Sequence, residues 1–295
     1  MNAELNVAWW AFWQPFVEFG FMQRALAGCL ALSLSAPPVG VFLMLRRMSL
    51  TGDAMAHAML PGAALGYLVS GLSLGAMTLG GLAAGLAVVI ASGFVARSTV
   101  LREDTTLAAF YLMSLALGVL IISSQGRQVD LLHVLFGSVL ALDDAAVRLL
   151  GGIAAVTLLV GAWLYRPLVL ECQDPSFLRM VSRWSPVAHY GFLALLVLNL
   201  VAGFHALGTL LSVGMMILPA AAARFWVREL SRLLIVAVVL CALGSAAGLW
   251  LSYLLELPTG PLIVMCLGGV YLLSLLFGSR GVLRSRRPPA KHLRG

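Results

Sequence analysis

The sequence predicts an all-α, polytopic transmembrane helical bundle of about nine spans, N-terminus outside and C-terminus cytoplasmic. Three observations carry that prediction. Hydrophobic residues make up 61% of the 295 and charged residues 11%, against roughly 25% charged in a typical soluble domain, and the mean hydropathy is +0.99. The apolar residues gather in runs of the ~20 that a bilayer requires. Between the runs the basic residues are unevenly shared, with 16 of the 19 in one alternate set of loops, as the positive-inside rule demands of cytoplasmic loops. This composition excludes a disordered protein, a disulfide-rich secreted domain and a soluble enzyme. The net charge of +7 is spread in short clusters rather than one patch, so membrane lipid, and no nucleic acid, is the expected partner.

The runs fall at about 22–45, 54–71, 75–96, 106–124, 145–165, 187–204, 206–223, 233–254 and 261–278. The loops read as cytoplasmic hold Arg46 and Arg47, then Arg97 and Arg102, then Arg166, Arg179 and Arg183, then Arg224, Arg228 and Arg232. The basic tail adds Arg280, Arg284, Arg286, Arg287, Lys291 and Arg294. Only Arg24, Arg127 and Arg148 belong to the opposite set. Glu4 and Glu18 precede the first basic residue, so no positively charged leader comes before the first run, and that run is expected to stay in the mature protein. The gap around Gly203–Leu207 is very short, and Val129–Leu142 reads as an outside or re-entrant helix. One adjustment at either place makes the count eight or ten. Residues 1–278 then form one transmembrane domain, with a cytoplasmic loop at about 166–187, and residues 279–295 a basic cytoplasmic tail.

Gly62 and Gly66, Gly81 and Gly85, and Gly244 and Gly248 are each spaced by four, which lets helix backbones approach in lipid, within one subunit or between two. Cys29, Cys172, Cys241 and Cys266 are singletons without CxxC spacing, so neither a disulfide framework nor a zinc knuckle is predicted.

Inside a spanning helix an ionisable side chain costs at least about 2.5–3.5 kcal/mol at the centre, so each one requires a reason. Asp53 and His57 follow the arginine pair in RRMSLTGDAMAHAMLPG. Ten residues separate Arg47 from His57, roughly 15 Å of helix, which places the imidazole about half-way across the hydrocarbon. Four apart, the two side chains project from one helix face. An oxygen and a nitrogen ligand one turn apart suit a divalent cation such as zinc or manganese. A buried Asp–His hydrogen bond tying helices together and a proton relay are the other readings of the same pair. Pro61 loosens the helix one turn further on.

His205, beside a span end, could line the outer mouth of a path or be a polar interfacial residue, and Glu256 precedes PTGP in an outer loop. His133, His189 and His292 lie in amphipathic or boundary sequence. The methionines at 215 and 216 read as packing. Lys291 is the only lysine, so no P-loop can exist and this subunit does not hydrolyse ATP by that route. HExxH and GxSG are likewise missing, which argues against an intramembrane zinc or serine protease.

Five segments in order resemble the metal-ion ABC transporter permeases, the membrane subunits of bacterial zinc, manganese and iron uptake systems. They are Arg46–Gly66 (RRMSLTGDAMAHAMLPGAALG), Glu103–Ser123 with Ala116-Leu117-Gly118, Asp130–Leu140 (DLLHVLFGSVL), Gly208–Arg224 (GTLLSVGMMILPAAAAR) and Gly248–Val264 (GLWLSYLLELPTGPLIV). The resemblance covers nearly the whole chain, from about residue 20 to 278. The resemblance implies that Asp53 and His57 hold the transported ion, Zn2+ or Mn2+ with Fe2+ possible, and that no other cofactor is needed. It also implies a homodimer, a separate cytoplasmic ATP-binding subunit and an extracytoplasmic metal-binding protein. The family's coupling helix usually reads F-D-P-x-x-A-R-x-x-G. Here Gln173–Ser182 retains Asp174, Pro175 and Arg179 and adds Phe177, while Leu178 and Ser182 replace the small positions. The resulting expectation is a permease of the bacterial inner membrane that imports a divalent transition metal by alternating access. A secondary metal/proton transporter or channel acting without an ATPase is the rival.

Overall fold

A computed structural model describes residues 14–71, 73–99, 103–123, 139–173, 180 and 184–285. Among them every regular element is helical. In chain order they are α1 (Gly20–Leu45), α2 (Ser49–Ala58), α3 (Leu60–Ser70), α4 (Leu74–Ser98) and α5 (Glu103–Ser123). A single 3-10 turn, Val139–Ala141, leads into α6 (Asp144–Gln173), α7 (Trp184–Leu207), α8 (Thr209–Ala223), α9 (Leu230–Leu255), α10 (Thr259–Phe277) and a last short turn, α11 (Val282–Ser285). Six of these, α1, α4, α6, α7, α9 and α10, are long and apolar enough to cross a membrane. The apolar part of α5 (Thr105–Ile121) and α8 are shorter.

The helices lie where the apolar runs predict them, with three differences. The run at 54–71 is not one helix: Met59 separates α2 from α3, and Pro61 stands in the first turn of α3, where its missing N–H costs nothing. The helix expected to end near 165 continues to Gln173, past Arg166 and Pro167, because its last two turns keep Leu168 and Glu171 buried. The short gap before α8 shrinks to one residue, Gly208, whose φ of +91° is open to glycine and strained for other residues. Most of Val129–Leu142 lies outside the described residues.

α1 is the hub. It packs on α6, α8 and α9 and also touches α7, and residues all around it are buried, from Met22 to Leu43. α7 lies against α6, α4 and α8, while α3, α4 and α5 form a second group. Small residues set the close approaches. A Cβ on Gly62 would collide with the Gly80 carbonyl of α4, and one on Gly40 with the Met216 carbonyl of α8. Gly66 faces the Ala76 backbone, Gly85 faces Val197, and Gly244 and Gly248 face Leu267 and Ile263. All three glycine pairs therefore pack within this chain. Outward faces carry exposed Leu79, Phe94, Leu159, Ile235 and Met265, the surface lipid covers.

Candidate metal site

The site begins at the turn that reverses the chain after α1. Arg47 N–H donates to the Met44 carbonyl at 3.1 Å and Met48 N–H to the Leu43 carbonyl at 3.0 Å, the paired bonds of a Schellman cap. Arg47 itself takes the left-handed conformation, φ +60°, that glycine usually supplies there. This turn seats α2 against α5, α7 and α8. Thr51, Gly52, Met55, Ala56 and Ala58 fill the packed face, and Gly52 admits the Met216 methyl, which would stand 2.8 Å from a Cβ. Ser114 of α5 donates to the Ala58 carbonyl at 2.7 Å, satisfying one of the acceptors that the end of α2 leaves open.

Asp53 and His57 lie on the opposite face. His57 Nε2 is 3.9 Å from Asp53 Oδ1, and the side chains are 30% and 69% exposed respectively. At that separation they share no hydrogen bond, and both belong to one helix, so the pair ties no helices together. It presents one carboxylate and one imidazole side by side on an open face. Those are two of the four or more ligands a zinc or manganese ion takes. Among the described residues no third His, Cys, Asp or Glu joins them.

The other candidates are elsewhere. Glu256 caps α9 in the left-handed region, φ 53° and ψ 34°, exposed in the turn to α10, and α9 is not a main neighbour of α2. His205 lies in the last turn of α7, and its side chain is outside the described residues. So are Asp174, Pro175, Phe177 and Arg179, between α6 and α7. A crevice of about 570 Å³ is also remote. It runs between α1, α6, α7 and α9, and its walls, including Pro38, Phe42, Phe192 and Leu234, offer no metal ligand.

One cluster has no counterpart in the sequence reading. Arg46, at the end of α1, lies 3.4 Å from His189 Nδ1 in the first turns of α7 and 4.8 Å from the centre of the Phe192 ring. Cys172 and Glu171, at the end of α6, are beside it. Glu171 is buried, and its Oε2, like Arg46 Nε and Nη2, has no hydrogen-bond partner among the described residues. Arg46 thus stands between the two helices that flank residues 174–183. In the sequence it looked like any other cytoplasmic arginine.

The fold is that of a polytopic helical membrane protein, and the carboxylate–imidazole pair on its broken helix is a candidate cation site. The chain belongs to the ABC 3 transport family, the metal-ion ABC transporter permeases, whose family model matches residues 18–278. It is 34% identical to a manganese import system permease protein, ScaB, of Streptococcus parasanguinis, over 89% of this chain and 92% of that one. It is 31% identical to a manganese transport system membrane protein, MntC, of Listeria monocytogenes, over 94% and 98%. A chelated iron transport system membrane protein, YfeD, of Yersinia pestis is 28% identical, over 93% and 91%. Among solved structures, PsaBC from Streptococcus pneumoniae in complex with Fab superposes with a TM-score of 0.79 at 30% identity, covering 95% of this chain and 97% of that one. An inward-facing metal-chelate type ABC transporter shares the fold, with a TM-score of 0.67 at 15% identity over 89% and 88%. The chain is therefore the permease of an ATP-driven importer, and the rival reading of a self-sufficient transporter falls away.

Proposed function

We propose that this chain imports a divalent transition metal, manganese or zinc, across the bacterial inner membrane, and that Asp53 and His57 are its ligands. The observation that carries the reading is the open pair on α2: two side chains of metal-ligand chemistry, held on a helix whose other face is packed. The names of the relatives support manganese foremost and keep iron in view. Two ligands leave the ion incompletely coordinated. A homodimer that places a second copy of α2 opposite the first supplies two more, and a carboxylate on each side offsets the cost of dehydrating the cation.

In this reading the chain crosses nine times, N-terminus outside and tail in the cytoplasm. An extracytoplasmic metal-binding protein delivers the ion. A separate ATP-binding subunit docks at Asp174, Pro175, Phe177 and Arg179, and its cycle alternates access to the site.

The test is uptake in cells that lack other importers and express the chain with its ATP-binding and metal-binding partners. Radiolabelled manganese should accumulate and be competed by one of manganese, zinc or iron in preference to the others. Charge reversal at Arg179 or a bulky change at Phe177 should abolish that uptake while leaving metal bound to the membrane fraction. Uptake that persists with a hydrolysis-dead ATP-binding subunit would refute the assignment.

A further inference from the structure

The ends of α8 and α10 and the turn into α9 gather three arginines at one end of the bundle. After α8 the chain turns through Arg224–Trp226, and after α10 it folds back onto that turn. Arg280 N–H donates to the Phe225 carbonyl at 3.1 Å. The Ser279 hydroxyl donates to the carbonyls of Phe225 and Trp226, each at 3.0 Å. The Trp226 indole N–H donates to Ser274 Oγ at 3.0 Å. These bonds staple the two chain reversals together around a crevice of about 410 Å³, walled by Met44, Ala221, Arg224, Phe225, Tyr271 and Arg280.

The walls carry positive charge that no described carboxylate neutralises. Between Asp174 and Glu256 the only carboxylate in the sequence is Glu229, and it is held by Arg232 at 2.9 Å. Among the described residues no carboxylate pairs with Arg224, Arg228 or Arg280. Partial desolvation, and then the charges of Arg228 and Arg224, hold the Arg280 guanidinium below its ordinary range. Like charges fixed together in this way favour an anion between them.

We propose that this crevice binds a phosphate group, supplied by the headgroup of an anionic phospholipid. A guanidinium presents a planar fork of donors that matches phosphate oxygens, and two of them face the crevice. A lipid fits better than a free ion because the rest of the wall is apolar and aromatic. On the same last turns of α10, Leu272, Leu276 and Phe277 are exposed and give acyl chains an apolar surface, and the exposed Trp226 is of the type that membrane proteins place at the interface. The topology proposed above supplies only the choice of the cytoplasmic leaflet.

The test uses the purified, delipidated full-length chain in detergent. It is titrated with phosphatidylglycerol, with diacylglycerol lacking the phosphate, and with inorganic phosphate. Thermal unfolding and native mass spectrometry of retained lipid are the readouts. Phosphatidylglycerol should raise the Tm by several degrees and stay bound, and diacylglycerol should do neither. In Arg224→Gln/Arg280→Gln the apparent affinity for phosphatidylglycerol should fall about tenfold or more, from two lost charges near a lipid surface. Should that variant fold poorly, Arg224→Lys/Arg280→Lys keeps the charge but loses the fork and should fall between the two. A full shift with inorganic phosphate alone would overturn the lipid as the source. Equal responses of wild type and variants, or an equal effect of diacylglycerol, would overturn the site. So would variants that lose the ATP-binding subunit yet respond normally to phosphatidylglycerol, which would make the patch a protein contact.

Discussion

At the scale of single residues, the exposure of Asp53 separates a ligand from a structural strut. A side chain 69% exposed and 3.9 Å from its neighbour can be changed at little cost to folding, within about 0.5 kcal/mol for such positions. Asp53→Asn and His57→Ala should therefore insert and fold as wild type does, yet bind metal at least about tenfold more weakly, a loss of ~1.4 kcal/mol or more. Folded yield, bound metal and uptake measured on the same two proteins decide it. Normal metal binding with lost uptake would indicate a proton relay, and lost folding a structural pair. Both residues were visible in the sequence because a four-residue spacing is local and because ionisable groups are rare in apolar runs. The Arg46 cluster was not, since it joins side chains 143 positions apart. A half-buried arginine at a helix end and an arginine in a cytoplasmic loop are spelled alike.

At the scale of helices, glycine contacts set what each pair tolerates. Gly62→Ala places a methyl against the Gly80 carbonyl, so α3 and α4 must separate. The expected cost is about 1–3 kcal/mol, as for overpacked interiors. Gly151→Ala in α6 meets nothing within 4 Å and should be neutral, or stabilising by up to about 1 kcal/mol through helix propensity. Thermal unfolding in one detergent compares them, and equal Tm values for the two variants would contradict the packing described for α3 and α4. Helix positions were legible because hydropathy alone selects spans of bilayer length. Two end points were not. α6 outlasts its apolar run because tertiary burial of Glu171 and Leu168 overrides the polar sequence around Arg166. The chain breaks at Met59 because the ring of Pro61 crowds the preceding turn and sits only at a helix start without cost, and Ser114, 56 positions away, donates to the Ala58 carbonyl at the break.

For the whole molecule, the uneven distribution of arginines makes a prediction about sidedness. With Cys172 and Cys266 replaced, and the buried Cys29 and Cys241 out of reach of polar reagents, a cysteine at Ser176 should be labelled only from the cytoplasm and one at Gly126 only from outside. Labelling of both from the same face would reverse or break the proposed topology. Both positions lie outside the described residues, so this measurement adds what the helix order does not supply. The all-helical membrane bundle was readable from composition and hydropathy. Which helix would be the hub was not, because mean hydropathy does not tell a lipid-facing helix from a protein-facing one. α1 is central through its small residues, Gly28, Ser33, Ala36 and Gly40, and those matter only once α6, α8 and α9 press on them.

The shortness of the connections has a consequence for recognition. α7 passes to α8 through Gly208 alone, and three residues join α9 to α10 and α3 to α4. In the proposed orientation all three links edge the outer face. Apart from residues 1–13 and 124–138, which lie outside the described residues, that face is a low rim of helix ends with little chain free to reshape itself. A delivering protein that lands there meets a surface already in its final form. Docking then sacrifices little conformational freedom on the permease side and proceeds as the meeting of two nearly rigid bodies, so discrimination among carrier proteins rests on contour and charge and leaves little room for mutual adjustment.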